Sequence, residues 1–169
     1  MTQRSVYSCG RLIVAMVLLV LLTACGTLRL SPVGGTVPQD KWIPLQQGAV
    51  RGAQWEGREL SVKYDYTRNG DELKMSGEAF YADLVTYNFS FIEYLRLDVL
   101  LLDQSGSVLA MKGLTSRSMA QFHYPNTFSV SMTLPPGTAY MAFSYRMQAR
   151  ESDNEGGGSP SYFWEYPVR

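Results

Sequence analysis

The sequence predicts an all-β chain folded as an antiparallel β-sandwich of about seven strands, immunoglobulin-like in the loose sense of two sheets packed face to face. Three observations carry this. Apolar residues recur at a period of two through most of the chain after Glu59, as they do in strands with one buried face. Turn-forming groups punctuate the pattern at Arg68-Asn69-Gly70-Asp71, Asp103-Gln104-Ser105-Gly106 and Pro135-Pro136-Gly137, as expected where strands reverse through short loops. No strong helical period competes with them. The Cys…Trp…Cys signature of true immunoglobulin domains is absent, and a small β-barrel is the alternative architecture.

The elements follow in order. Leu60, Val62, Tyr64 and Tyr66 share one face, with Glu59, Ser61, Lys63 and Asp65 on the other, which is a half-buried strand. Asn69-Gly70 supplies the positive φ of a tight hairpin, and Leu73, Met75, Gly77, Ala79 and Tyr81 continue the return strand. From Asp83 to Phe91 the pattern is ambiguous. Val85, Tyr87, Phe89 and Phe91 could form a strand, and a helix finds no convincing cap. Leu95, Leu97, Val99 and Leu101 give the next inward face. Arg96 and Asp98 point outward until Leu100 and Leu102 make both faces apolar, so this strand is central. Val108 to Met111 follows the turn, and a less regular stretch runs from Gly113 to Asn126. Phe128, Val130, Met132 and Leu134 then alternate with Ser129, Ser131 and Thr133. Met141, Phe143, Tyr145, Met147 and Ala149 form the next strand, and Ser161 to Tyr166 the last.

The amino terminus carries a different message. Arg4 and Arg11 precede an apolar run from Leu12 to Leu22, and no acidic residue appears before Asp40. The run suits a signal-peptide core but falls short of the roughly 20 residues a spanning helix needs. Leu22-Thr23-Ala24-Cys25, followed by Gly26, resembles the lipobox of bacterial lipoproteins. The resemblance implies cleavage before Cys25, thioether linkage of that cysteine to diacylglycerol, and acylation of the freed amine by a fatty acid such as palmitate. Cys9 has a bulky Val6-Tyr7-Ser8 before it and no apolar run upstream, so it leaves with the signal. An ordinary secretory cut after Ala24, with Cys25 incidental, is the competing reading. Lipidation also accounts for an exported chain left with one cysteine and no disulfide. Gly26 in place of Asp implies sorting to the outer membrane, facing the periplasm, if the host is diderm.

The organisation expected is therefore a signal peptide over 1–24, a lipidated Pro/Gly-rich tether over 25–47 and a single domain over 48–169. Pro32, Gly34, Gly35, Pro38 and Pro44 break any period in the tether. Trp42, Ile43 and Leu45 sit late in it, where apolar side chains either dock on the domain or face a partner. Removing Arg4 and Arg11 leaves thirteen basic against fifteen acidic residues. Neither nucleic-acid binding nor a polybasic membrane segment is indicated, because the basic residues are scattered along the chain. Leu97-Asp98-Val99-Leu100-Leu101-Leu102-Asp103, followed by Gly106 and Val108, resembles the strand-turn-strand core of FxLYD-type sandwiches of exported bacterial proteins. Leu102 stands where that pattern has Tyr, and the resemblance implies fold alone.

Chemistry is sparse. His123, the only histidine, has no partners at metal-ligand spacing and no G-x-S-x-G elbow beside it. Glu151-Ser152-Asp153-Asn154-Glu155-Gly156 begins like a calcium loop, but its twelfth position is Tyr162 in place of a bidentate Glu. Asn88-Phe89-Ser90 matches a glycosylation triplet incidentally, and Asp71 with Glu72 suits a solvated hairpin. No catalytic residue, metal or cofactor is assigned. Aromatic residues are the remaining clue. Tyr162, Phe163, Trp164 and Tyr166 put rings on both faces of the last strand, either because it is buried or because it meets a partner. Trp164, Tyr166, Tyr162 and Trp42 are thus the candidate partner-binding residues. The function expected is a membrane-anchored envelope lipoprotein acting as a non-enzymatic binding or scaffold module, with an envelope protein as partner and carbohydrate as a weaker option. The alternatives are a cell-wall or carbohydrate-active hydrolase and a small-ligand-binding sandwich.

Overall fold

The computed structural model describes residues 31–122, 124–151 and 158–169. Cys9, Cys25 and His123 lie outside the described residues, as does the Glu151–Gly156 loop beyond Glu151. Pro32–Arg169 forms one compact unit. Among the described residues nine strands build it: β1 (Ile43–Pro44), β2 (Gly48–Glu56), β3 (Leu60–Asn69), β4 (Glu72–Tyr81), β5 (Phe91–Leu102), β6 (Val108–Ala120), β7 (Asn126–Thr133), β8 (Tyr140–Arg150) and β9 (Pro160–Glu165). One helix, α1 (Asp83–Asn88), joins β4 to β5.

These strands form a β-sandwich of two antiparallel sheets. The first has the order β2-β3-β4-β7. The second runs β8-β5-β6, with β1 and β9 pairing successive stretches of the free side of β8. Among the described residues the two sheets share no strand, so the barrel alternative does not apply. Inward residues of both sheets interdigitate: Leu60, Val62, Tyr64 and Met75 face Leu97, Val99, Phe143 and Tyr145. Trp55 and Tyr64 set their rings 5.3 and 5.2 Å from that of Phe143, within the range of favourable tilted pairs. The period-two reading thus placed β3, β4, β5, β7 and β8 with their buried faces inward.

Five features depart from the sequence reading. The segment expected as tether up to Gln47 is part of the compact unit from Pro32 onward. It is tied down by backbone hydrogen bonds from Gly34 to Val108, from Val37 to Gly106 and from Leu45 to Ala139. Pro and Gly forbid regular periodicity without forbidding such local bonds. Strand β2 was not foreseen because a bulge between Val50 and Ala53 shifts its register, so Val50, Ala53 and Trp55 pack inward at broken spacing. Residues 83–88 form α1, whose amino end has no side-chain cap and whose Val85 is buried. Tertiary packing supplies what capping does not. Strand β6 continues to Ala120 through the stretch read as irregular, with register shifts against β5. The β3–β4 loop has positive φ at Gly70 and not at Asn69. Its two central residues are Gly70 and Asp71, the II′ arrangement with Gly first.

A second apolar layer lies on the outer face of the β8-β5-β6 sheet. Leu100, Leu102 and Ala142 alternate with the inward set and are buried beneath Val37, Trp42, Tyr140 and Val168. Both terminal segments cover this region. Thr36 bridges Ser107, and Thr36 and Arg169 exchange backbone hydrogen bonds of 3.2 and 2.9 Å. The strand read as apolar on both faces is indeed central, and these two straps are its outer cover.

Candidate functional site

The candidate residues divide between the two halves of this outer face. Trp42 belongs to the covered half. Its indole N–H donates to the Val37 carbonyl at 2.7 Å, and its ring packs 4.9 Å from that of Tyr140. It sits against Gly106, whose φ of +81° suits glycine, and where an added Cβ would come within 2.6 Å of the indole Cε2. Trp42 is therefore docked on the domain.

Tyr162 and Trp164 belong to the open half. In β9 side chains alternate between exposed and half-buried. Phe163 turns inward, its ring 5.5 Å from that of Phe89, while Tyr162 and Trp164 turn outward and stay 62% and 66% exposed. The last strand is thus neither wholly buried nor wholly open. Tyr166 follows β9 in the carboxy-terminal strap and is 43% exposed.

Register specifies their neighbours. Trp164 lies opposite Arg146 on β8 and Tyr162 opposite Gln148. Arg146 and Gln148 lie opposite Arg96 and Tyr94 on β5, and these in turn oppose Ser116 and Ser118 on β6. Because inward and outward residues alternate, all of these share the outer face. An open depression of about 280 Å³ lies among Tyr94, Arg146, Gln148, Tyr162 and Trp164.

Charge on this face is mostly neutralised in pairs. The Arg96 Nε donates to both oxygens of Asp98, at 3.0 and 2.8 Å, and this buried carboxylate raises the affinity of Arg96 for its proton. The Arg150 Nε donates to Glu93 at 2.6 Å, and Glu93 also accepts from Gln148. At the edge Lys41 pairs with Glu165 at 2.7 Å. Arg146 is exposed, and among the described residues no carboxylate stands within ion-pair distance of it. Residues far apart in the chain thus build an aromatic surface beside Arg146. The β5–β8 register unites them, and a one-dimensional reading of scattered arginines could not find it.

Elsewhere, the most distinctive buried polar contact is the Tyr145 hydroxyl donating to Glu59, beneath the β2–β3 loop. Burial and the neighbouring carboxylate push the Tyr145 phenol up, which stabilises a protonated structural donor and offers no nucleophile at neutral pH. Asn88 of the glycosylation triplet ends α1, where its amide donates to the Leu84 carbonyl at 2.7 Å. Asp71 and Glu72 are exposed at the hairpin. Among the described residues no group of three or more His, Cys, Asp or Glu side chains is gathered as a metal site. Comparison with protein-family models, with curated proteins and with solved structures gave no match.

Proposed function

We propose that this chain is a bacterial envelope lipoprotein, anchored through diacylglycerol on Cys25, whose sandwich acts without catalysis as a binding or scaffold module for another envelope component. The observation that carries the binding role is the exposed pair Tyr162 and Trp164 beside Arg146, which has no carboxylate partner among the described residues. Rings that could have been core instead stand in solvent, at low conformational cost for contact. The lipobox supports the address: outer membrane, facing the periplasm, in a diderm host.

Two experiments test the two parts. Cys25→Ser should abolish incorporation of labelled fatty acid and release the protein from membranes, and retained label would refute the anchor. A photo-crosslinking residue at position 164 should capture an envelope component, lipid or protein, that the same residue at exposed Lys63, on the other sheet, does not. Equal capture from both positions would refute the assignment of the binding face.

A further inference from the structure

The amino-terminal strap that begins the described chain crosses the same sheet face that carries the exposed rings, and this points to what the face meets. We infer that the outer face of the β8-β5-β6 sheet lies against the lipid surface into which Cys25 is inserted, with Tyr162 and Trp164 at headgroup depth and Arg146 among anionic headgroups. The inference rests on the lipoprotein reading and names the component that the face meets.

Three observations support it. The first is reach. The compact unit begins at Pro32, seven residues after Cys25, and seven residues span at most about 25 Å. The second is place. The amino-terminal strap runs from Val108 at one side of the sheet to β1 at the other, and Val37 and Trp42 lie on the outer face. From Leu102, opposite Val108, to Arg96, opposite Arg146, is six residues of β5, or about 20 Å along the strand. From β6 to β9 is three strand spacings, or about 14 Å across. The diagonal is about 25 Å, so the inserted lipid reaches beneath the whole face.

The third observation is chemistry. Tyr and Trp concentrate at membrane–water interfaces, where their apolar bodies and polar tips are both satisfied. Arg146 stands beside Trp164, and among the described residues no carboxylate lies within ion-pair distance of it. That matches an anionic headgroup. One arginine and two rings would bind a bilayer weakly in a free protein. Here the acyl chains supply retention, and the face has only to choose an orientation for a molecule already held at the surface.

The test uses the mature lipidated protein in vesicles of phosphatidylcholine and phosphatidylglycerol, three to one, with and without acyl-chain-brominated phosphatidylcholine. Emission of Trp164 is taken as the difference between wild type and Trp164→Phe, which cancels Trp42 and Trp55. Brominated lipid should quench Trp164 at least twofold, and iodide quenching should fall severalfold below that of the unlipidated Cys25→Ser protein. Arg146→Glu should weaken both effects in these vesicles, and should not in vesicles of phosphatidylcholine alone. If Trp164 stays fully open to iodide and untouched by brominated lipid while mass spectrometry shows diacylglycerol on Cys25, the face points away from the bilayer and a protein or glycan partner takes its place. Absence of that mass would overturn the anchor itself, and this inference with it.

Discussion

Gly106→Ala should destabilise the domain far more than a surface glycine substitution, because the methyl group meets Trp42. The φ of +81° at this position costs an L-residue about 1 kcal/mol. The added Cβ overlaps the indole, which must leave its seat over Leu100 and Leu102. Losing the packing of a half-buried tryptophan costs about 2 kcal/mol, and losing its 2.7 Å hydrogen bond to Val37 about 1 more. The total is about 4 kcal/mol. With a urea slope near 2 kcal/mol/M, the midpoint should fall by about 2 M. Trp42→Ala alone should cost about 3 kcal/mol by the same terms. With the ring already gone, Gly106→Ala should cost only the backbone share of about 1 kcal/mol. A double-mutant cycle in the Cys25→Ser background, followed by far-ultraviolet circular dichroism in urea, should therefore show a coupling of about 3 kcal/mol. Additive costs would refute the claim that Gly106 exists to seat the strap.

Alkaline pH should destabilise the fold through its buried phenols. Burial, assisted by Tyr66, pushes Tyr64 up to about 12, and Tyr145 is also raised. Between pH 10 and 12 the unfolded chain releases these protons while the folded chain retains them, so stability falls as pH rises. The loss from Tyr64 alone is roughly 2–3 kcal/mol by pH 12. Urea midpoints across this window should drop, and Tyr64→Phe should flatten the slope; an unchanged slope would count against the assignment. Tyr145→Phe should cost about 2 kcal/mol at neutral pH, since Glu59 loses its buried donor, and adding Glu59→Gln should recover part of that by removing the charge. Trp164→Ala and Tyr162→Ala should change stability by about 0.5 kcal/mol or less. Phe163→Ala, on the same strand but facing Phe89, should cost about 2 kcal/mol; similar losses at all three positions would mean that the outer rings are structural.

Which parts of this molecule could be read from one dimension follows from the range of the interactions that build them. Strands β3, β4, β5, β7 and β8 announce themselves because one buried face imposes a period of two on adjacent residues. The double apolarity of Leu100 and Leu102 even signals a cover on the outer face, and the straps provide it. Strand β2 hides because its bulge breaks the period at Gly52, and α1 because its support comes from Val85 in the core and not from a cap. The candidate surface is legible only in half. Tyr162, Trp164 and Tyr166 stand together in sequence, while Arg146, Gln148, Arg96 and Tyr94 join them through strand pairing across long separations. Ion pairing is equally non-local for Arg150, whose partner Glu93 lies on another strand. A count of scattered arginines cannot distinguish the neutralised ones from Arg146, which has no carboxylate partner among the described residues.

The division of the outer face explains why a single cover could not have satisfied both of its halves. The late tether residues offer one obvious shield, and the sequence presents two claimants for it: the outward leucines of β5 and the aromatic carboxy-terminal strand. Leu100 and Leu102 gain more from being covered, because an aliphatic side chain in water has no polar atom to solvate, whereas a tyrosine hydroxyl or an indole N–H keeps a partner at a wet interface. The strap accordingly seats Val37 and Trp42 over the leucines, and the rings of Tyr162 and Trp164 remain in the open. The same strap carries the amino-terminal part of the compact unit across that face. Exposure of the rings is therefore a consequence of where the strap is used, and the surface left uncovered is the one that we propose meets the lipid surface.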